Sequence, residues 1–258
     1  MILMLRRRCL TGVIIPLLFF CLGLYFGVML ADYQPLAALV GRSGRLLPIY
    51  SVGTDEKKVA LSFDATWGAE YTPRLLDTLA QHQVKATFFL TNIWLEKYPE
   101  LAKQIAAAGH EIGLHSRSHP HFSALSEAEM IEELQTNSRL VEEITGYKAE
   151  LFRPPFGDYN DTVIRTVERL GYRAIQWDVD SLDWMENMTA EEILQRVQKG
   201  IKPGSIVLFH NNGRYTADVL GQLLDYLKKE GYQAVPVGEL IYKDDYYVDH
   251  AGVQRRGR

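Results

Sequence analysis

Val59-Ala60-Leu61-Ser62-Phe63-Asp64 is a strand-like run that stops on a carboxylate, and the same punctuation recurs down the chain. His115 follows Ile112-Gly113-Leu114, and Arg153 follows Leu151-Phe152. Asp178, Asp180 and Asp183 follow the run from Tyr172 to Trp177, and His210 follows Ser205 to Phe209. Strands are expected at 59–63, 86–90, 111–114, 150–152, 172–177, 205–209 and 232–235. Helix-like stretches fill the intervals at 70–82, 98–108, 126–145, 161–170, 189–199 and 216–230. Ser126-x-x-Glu129 is a capping-box pattern for the helix at 126–145, and Gly146 suits its end. Such alternation argues for a parallel α/β fold, with every strand C-terminus on the face where these folds keep their sites. Alternation alone leaves open whether the sheet is flat or closed into a barrel.

Working outward, residues 9–31 carry no charge and follow Arg6-Arg7-Arg8. A run of that length can span a bilayer, which takes about 20 residues, and the arginines would hold residues 1–8 in the cytoplasm. A cleavable signal peptide is the competing reading, but its apolar core usually runs only about 7–15 residues. Either way the rest of the chain is expected outside the cytoplasm, and an anchored single-pass topology is favoured. Residues 32–56, with Pro35, Pro48, Gly41, Gly44 and Gly53, read as a stalk; 57–241 as the folded domain; 242–258 as a polar tail, loose or peripherally docked. The only cysteines, Cys9 and Cys21, fall in the apolar segment, so the domain relies on its core rather than disulfides. Setting aside Arg6, Arg7 and Arg8 leaves 25 basic against 32 acidic residues. No basic-aromatic stripe occurs, which argues against nucleic acid as a partner.

His115-Ser116-Arg117-Ser118-His119 sets two imidazoles four residues apart. On one helical turn both would face the same way, a spacing suited to one divalent metal, although such pairs also arise on solvated turns. Arg153-Pro154-Pro155-Phe156-Gly157 is stiffened by two prolines and released by a glycine, so it can hold an arginine rigidly and aim backbone N–H groups inward. Asp178-Val179-Asp180-Ser181-Leu182-Asp183-Trp184 crowds three carboxylates between Trp177 and Trp184. If part of it is buried, those carboxylates need partners, and Arg153 and His210 are available.

HSRSH, RPPFG, DSLDW and LFH, in that order, resemble the motifs of the polysaccharide deacetylase family, the NodB-homology domain of carbohydrate esterase family 4, over about residues 57–241. The resemblance implies a distorted parallel (β/α) barrel of about seven strands. It also implies that Asp64 is the base that activates water and that Arg153 orients it. His115 and His119 would hold a divalent metal, commonly zinc, while Asp183 would pair with His210, the acid that protonates the leaving amine. The Phe156 backbone amide would meet the oxyanion and Trp184 would line the sugar pocket. Asp178 and Asp180 are left as supporting candidates. The implied partner is an acetylated cell-wall polysaccharide.

One departure matters. The family's first motif usually reads Asp-Asp, its second carboxylate being a metal ligand, whereas here Ala65 follows Asp64. Catalytic zinc usually has three protein ligands. The alternatives are that Asp64 moves onto the metal, that Glu70 reaches in, or that metal is no longer held tightly. Phe63-Asp64-Ala65-Thr66-Trp67-Gly68 resembles the sporulation-type branch, with its Asp-x-x-Trp-Gly, which implies a role in the cell wall or spore cortex. Three functions follow as expectations: an N-deacetylase of peptidoglycan or spore glycan, a catalytically silent glycan binder, and an O-acetyl ester hydrolase on the same scaffold.

Overall fold

β2 (Lys58–Ala65) is buried from Val59 to Ala65, as a strand covered on both faces must be, and the other strands are laid out around it. The computed structural model describes residues 45–257. The expected transmembrane segment at 9–31 and the stalk up to residue 44 lie outside the described residues. No helix among the described residues is long and apolar enough to cross a membrane.

The main sheet runs β6 (Arg173–Ala174), β5 (Leu151–Phe152), β4 (Glu111–Leu114), β3 (Thr87–Leu90), β2, β8 (Ile206–His210) and β7 (Val179–Asp180), with β9 (Gln233–Val235) beside the start of β2. All of its pairings are parallel. Flat, seven such strands would span about 29 Å at about 4.8 Å per step. Yet the outermost pair, β6 and β7, are consecutive in the chain, and the link from Ala174 to Val179 reaches at most about 18 Å. The sheet therefore curls into an incompletely closed barrel. The expected strand at 172–177 is cut short to Arg173–Ala174, and β7 at Val179–Asp180 lies beyond it, because residues 175–178 cross this seam: Ile175 N–H bonds Phe152 on one side, and Asp178 N–H bonds Ile206 on the other.

Helices wrap the outside: α1 (Thr72–Gln81), α2 (Asn92–Lys97), α3 (Pro99–Ala107), α4 (Glu127–Thr145), α5 (Asp161–Arg169), α6 (Ala190–Gly200) and α7 (Thr216–Lys229), whereas the short α8 (Val237–Leu240) packs Val237 and Leu240 into the interior cluster. The capping box at Ser126/Glu129 and the left-handed Gly146 bound α4 as the sequence pattern predicts. α2 is additional to the expected helices and starts where the Thr91 hydroxyl accepts the Trp94 N–H. Along β2, Val59, Leu61 and Phe63 pack under the helices with Leu75, Leu79 and Leu220. Ala60 faces the interior with Phe89, Leu151, Ile175, Ile206 and Val235. By the same alternation Ser62 and Asp64 point inward, at the end where the strands finish.

The barrel's seam is bridged by residues assigned above to the stalk. Ile49 N–H bonds the Ala174 carbonyl, the Ile49 carbonyl accepts the Gln176 N–H, and Val52 N–H bonds Gly204. Residues 45–56 thus belong to the folded unit. The tail is docked as well: β10 (Tyr246–Val248) and β11 (Val253–Arg256) pair with each other, and β11 pairs in parallel with β1 (Ser51–Val52).

Candidate active site

Register places the base beside the acid. Asp64 sits opposite His210 where β2 and β8 end, and opposite Phe89 on β3. Arg153, one residue past β5, is fully buried. Its Nη1 donates to Asp64 Oδ1 at 2.8 Å, and its Nη2 donates to Ser62 Oγ at 2.8 Å and to the Gln176 carbonyl at 3.1 Å. The guanidinium lies 4.1 Å over the Phe89 ring and 5.5 Å from Trp177. Burial pushes the Asp64 carboxyl up, but the charge of Arg153, aided by His115 and His210, outweighs it and holds Asp64 below the usual carboxylate range.

His115 Nδ1 lies 2.8 Å from the Arg153 carbonyl. A carbonyl only accepts, so Nδ1 carries the proton and Nε2, 3.6 Å from Asp64 Oδ2, keeps its lone pair. His119 stands edge-on between Trp67 at 5.0 Å and Phe156 at 4.5 Å. Burial, with His115 beside it, pushes its pKa down to about 3, and its Nδ1 is buried without a partner. The two imidazoles do meet, 5.0 Å apart. They do not sit on the helical turn expected: Ser116 and His119 take left-handed backbone, at φ 78° and 58°. That unfavourable loop is held from α4. The Asn137 side-chain carbonyl accepts the His115 N–H at 3.0 Å, and Glu133 accepts the Ser118 N–H at 2.8 Å and its hydroxyl at 2.7 Å.

For a divalent metal the donors are the two imidazoles and, at most, Asp64 Oδ2. Ala65 is buried and offers no ligand atom. Glu70 is exposed, bonds Tyr71 and does not line the cleft, so it does not fill the vacancy in the ligand set. Among the described residues no three His, Cys, Asp or Glu side chains are grouped to hold a metal ion. The orphaned His119 nitrogen is a ready donor, but the set as it stands does not fit the three-ligand catalytic zinc site implied by the motif resemblance.

Asp183 is wrapped by donors. Its Oδ1 lies 2.8 Å from His210 Nδ1, and its Oδ2 accepts the His210 N–H at 2.8 Å and the Thr216 hydroxyl at 2.5 Å. Burial pulls the His210 imidazolium down, but the bond to Asp183 and its charge prevail, and His210 titrates above the usual histidine range. Gly213 is required here, because a Cβ would come within 2.5 Å of Asp183 Oδ2. The other two aspartates separate. Asp180 lines the cleft and caps the Leu182 N–H at 2.9 Å. Asp178 faces neither Arg153 nor His210; it binds the Ile206 N–H, the Ser205 hydroxyl and Lys202.

These groups surround a cleft of about 950 Å³ lined by Asp64, His115, His119, Asp183 and His210, with Phe156 and Trp184 at its walls. Arg153 lies beneath it rather than in it. Sequence reasoning missed Trp67, Arg214 and Tyr215 in the lining, and Glu133 and Asn137 behind it. A signal for the last two existed: both are buried on the stripe of α4 shared with Met130, Leu134 and Val141, where a helix otherwise places apolar side chains.

Comparison with known proteins agrees with this geometry. A family model described as polysaccharide deacetylase matches residues 51–175. A peptidoglycan-N-acetylglucosamine deacetylase of Bacillus cereus is 36% identical over 197 residues, 74% of this chain and 92% of that protein. The uncharacterized protein YlxY of Bacillus subtilis is 37% identical over 75% of this chain, which spans 60% of YlxY's length. Among solved structures, wild-type BA3943 of Bacillus anthracis, described as a CE4 family pseudoenzyme, matches with a TM-score of 0.72 at 36% identity, covering 81% of this chain and 70% of its own. A BA3943 mutant with the same TM-score is described as having restored enzymatic activity.

Proposed function

The chain belongs to the polysaccharide deacetylase family, and from that premise we propose that it removes N-acetyl groups from an acetylated cell-wall polysaccharide, peptidoglycan being the substrate class of its Bacillus cereus relative. One observation carries the reading: Asp64 and His210 end adjacent strands in one cleft, and their surroundings push them in opposite directions, Asp64 down and His210 up. A carboxylate base and an imidazolium acid therefore coexist near neutral pH, as amide hydrolysis requires.

In this mechanism Asp64 takes a proton from water as the water oxygen bonds to the acetamide carbon and the carbonyl electrons move onto oxygen. The Phe156 backbone amide is the donor proposed for that oxyanion, and its loop is fixed in left-handed backbone at Phe156. As the C–N bond breaks, the sugar nitrogen takes the proton from His210 Nε2, leaving acetate and a free amine. Arg153 keeps Asp64 ionised and aimed; Asp183 does the same for His210. Enzymes of this family generally use a divalent metal, and His115 and His119 are the side chains here that would face one. Because the ligand set is incomplete, no step is routed through it.

A second reading, a silent glycan binder, is favoured by Ala65 and by the likeness to a structure described as a pseudoenzyme. Against it, the two charge pairs Arg153–Asp64 and Asp183–His210 are both intact, and binding alone needs neither. Acetate release from peptidoglycan and from N-acetylglucosamine oligomers decides between them, measured with and without chelator and added zinc, with Asp64→Ala as control. Release lost in the variant establishes the deacetylase; glycan binding without release from any acetylated glycan establishes the binder. Residues 9–31 are proposed to anchor the chain, with the domain outside the cytoplasm, and fractionation of the full chain with membranes after a salt wash tests this.

A further inference from the structure

The loop between β5 and α5, residues 153–160, carries the Phe156 amide proposed for the oxyanion, and it does not hold its shape unaided. Phe156 and Gly157 both take left-handed backbone, at φ 59° and 65°, which is unfavourable for Phe156 because of its Cβ. Toward the barrel Gly157 is packed so closely that a Cβ would come 3.1 Å from the Trp177 ring. On one flank Asp158 accepts the Ser123 N–H and hydroxyl, both at 2.8 Å. The other flank is held by residues 45–50. The Arg45 guanidinium lies 4.7 Å over the Tyr159 ring and donates to the Tyr159 carbonyl at 3.2 Å. Leu46 N–H bonds Asp161 Oδ1 at 3.0 Å, and the Tyr50 and Tyr159 hydroxyls share a hydrogen bond of 3.1 Å.

Tyr50 is itself held from the tail. Its N–H donates to the Gly252 carbonyl at 2.9 Å, and Gly252, at φ 78°, lies so near the Tyr50 ring that no Cβ would fit. Gly252 belongs to the turn between β10 and β11, which Asp249 locks. Asp249 Oδ1 accepts the Ala251 and Val253 N–H groups at 2.9 and 3.0 Å, and Oδ2 accepts Arg255 Nε at 2.7 Å. Behind the turn, the wholly buried Gln254 exchanges two hydrogen bonds with the Tyr242 backbone. A continuous path therefore runs from the hairpin through Tyr50 and Tyr159 into the loop. Closing the barrel's seam does not account for the two hydroxyls, because phenylalanine rings would pack there as well. The catalytic scheme gives them no task either.

Resting on the deacetylase reading above, we propose that Tyr50 and Tyr159 are positioning residues for the reaction: their hydroxyl pair couples the C-terminal hairpin to the Phe156 loop and holds its amide where the oxyanion forms. The test uses the full chain with Tyr50→Phe, Tyr159→Phe and the double variant, each keeping its rings and losing only hydroxyls. Each single variant should lower kcat for acetate release about three- to tenfold, the worth of one neutral hydrogen bond. KM should stay unchanged, because an oxyanion donor is engaged only in the transition state. The double variant should lose no more than either single one, since both remove the same bond. Amide hydrogen exchange, followed by mass spectrometry, should quicken across residues 156–160 in all three variants while β3 keeps its protection. Losses that add in the double variant, a change in KM alone, or an unaltered kcat would overturn the proposal. So would a quickening shared equally by β3, the mark of general destabilisation. A wild type that releases no acetate from any acetylated glycan would end the deacetylase reading and the catalytic role with it. Quickened exchange would then still establish the hairpin's hold on the loop, and unaltered exchange would overturn that as well.

Discussion

Replacing Arg153 by methionine would test the centre of the site. Methionine keeps a long apolar stem but removes the cation that bonds Asp64 at 2.8 Å inside the protein. Deleting one partner of a buried pair costs about 3–5 kcal/mol. Loss of the cation over Phe89 adds up to about 2 kcal/mol, of which a sulfur–aromatic contact returns about 0.3–1.5. The expected deficit near neutral pH is therefore about 3–7 kcal/mol, a large part of the about 5–15 kcal/mol that holds a typical domain folded. The deficit must also vary with pH. In the wild type the folded pKa of Asp64 lies below its unfolded value of about 3.9, so its contribution is present above that value and fades as the pH falls through the folded pKa. In the variant, burial is no longer outweighed and the folded pKa rises above the unfolded one. The variant's stability is then greatest below about pH 4 and declines as the pH rises through the new folded pKa. Urea unfolding followed by tryptophan fluorescence at about pH 4 and about pH 8 should show the gap opening with pH. The acid limb of kcat/KM should move to higher pH in parallel. A gap below about 1 kcal/mol near neutrality, or one that stays constant across this range, would refute the assignment of Arg153 as the group that keeps Asp64 charged.

Asp183→Asn should lower kcat about 10²–10⁴-fold and move the basic limb of the pH–rate profile downward, because Asp183 is what raises the His210 pKa and the acid must be protonated to act; acetate release across pH measures both. Ala65→Asp should tighten zinc binding at least about tenfold, read by competition with a chromogenic chelator, if the missing third ligand is what weakens the site. Equal affinity in the two proteins would show that position 65 cannot reach the imidazoles. Asn137→Ala strips the acceptor from the His115 N–H and the donor from the Leu90 carbonyl and Asn92, and should cost about 1–3 kcal/mol in urea unfolding while lowering activity through the displaced loop.

Most of the sheet and its helices were legible because a parallel strand buried on both faces is a continuous apolar run, and because α4 carries its own start and stop signals; β4 falls on the expected 111–114 and α4 starts one residue inside its capping box. What was hidden is what only long-range pairing decides. Nothing local in Ile49 or Val52 tells that they bridge Ala174 and Gly204, and the polar tail gave no sign of pairing because its partner, β1, is two residues long. The charge pairs could be anticipated from residue type and strand position. The left-handed turn at His115–His119 could not, since neither Ser116 nor His119 is a glycine and the geometry is imposed by Glu133 and Asn137 from another element. Trp67 was visible in Asp-x-x-Trp-Gly, but a tryptophan after a strand is a core residue by default and only its exposure shows otherwise.

The position of β2 in the sheet has a consequence for how the chain is made. Its neighbour on one side, β3, follows soon after, but on the other it waits for β8, and the Ser62 hydroxyl meets Val207 only 145 residues later. At a synthesis rate of about 5–20 residues per second, that edge of the central strand stays bare for roughly 7–29 s. An unpaired apolar edge invites wrong partners for as long as it lasts. The nascent chain can pair β2 to β6 as they emerge, but the barrel cannot close, and reaching the native state depends on keeping the open edge of Val59 to Ala65 shielded until nearly the last strands have arrived.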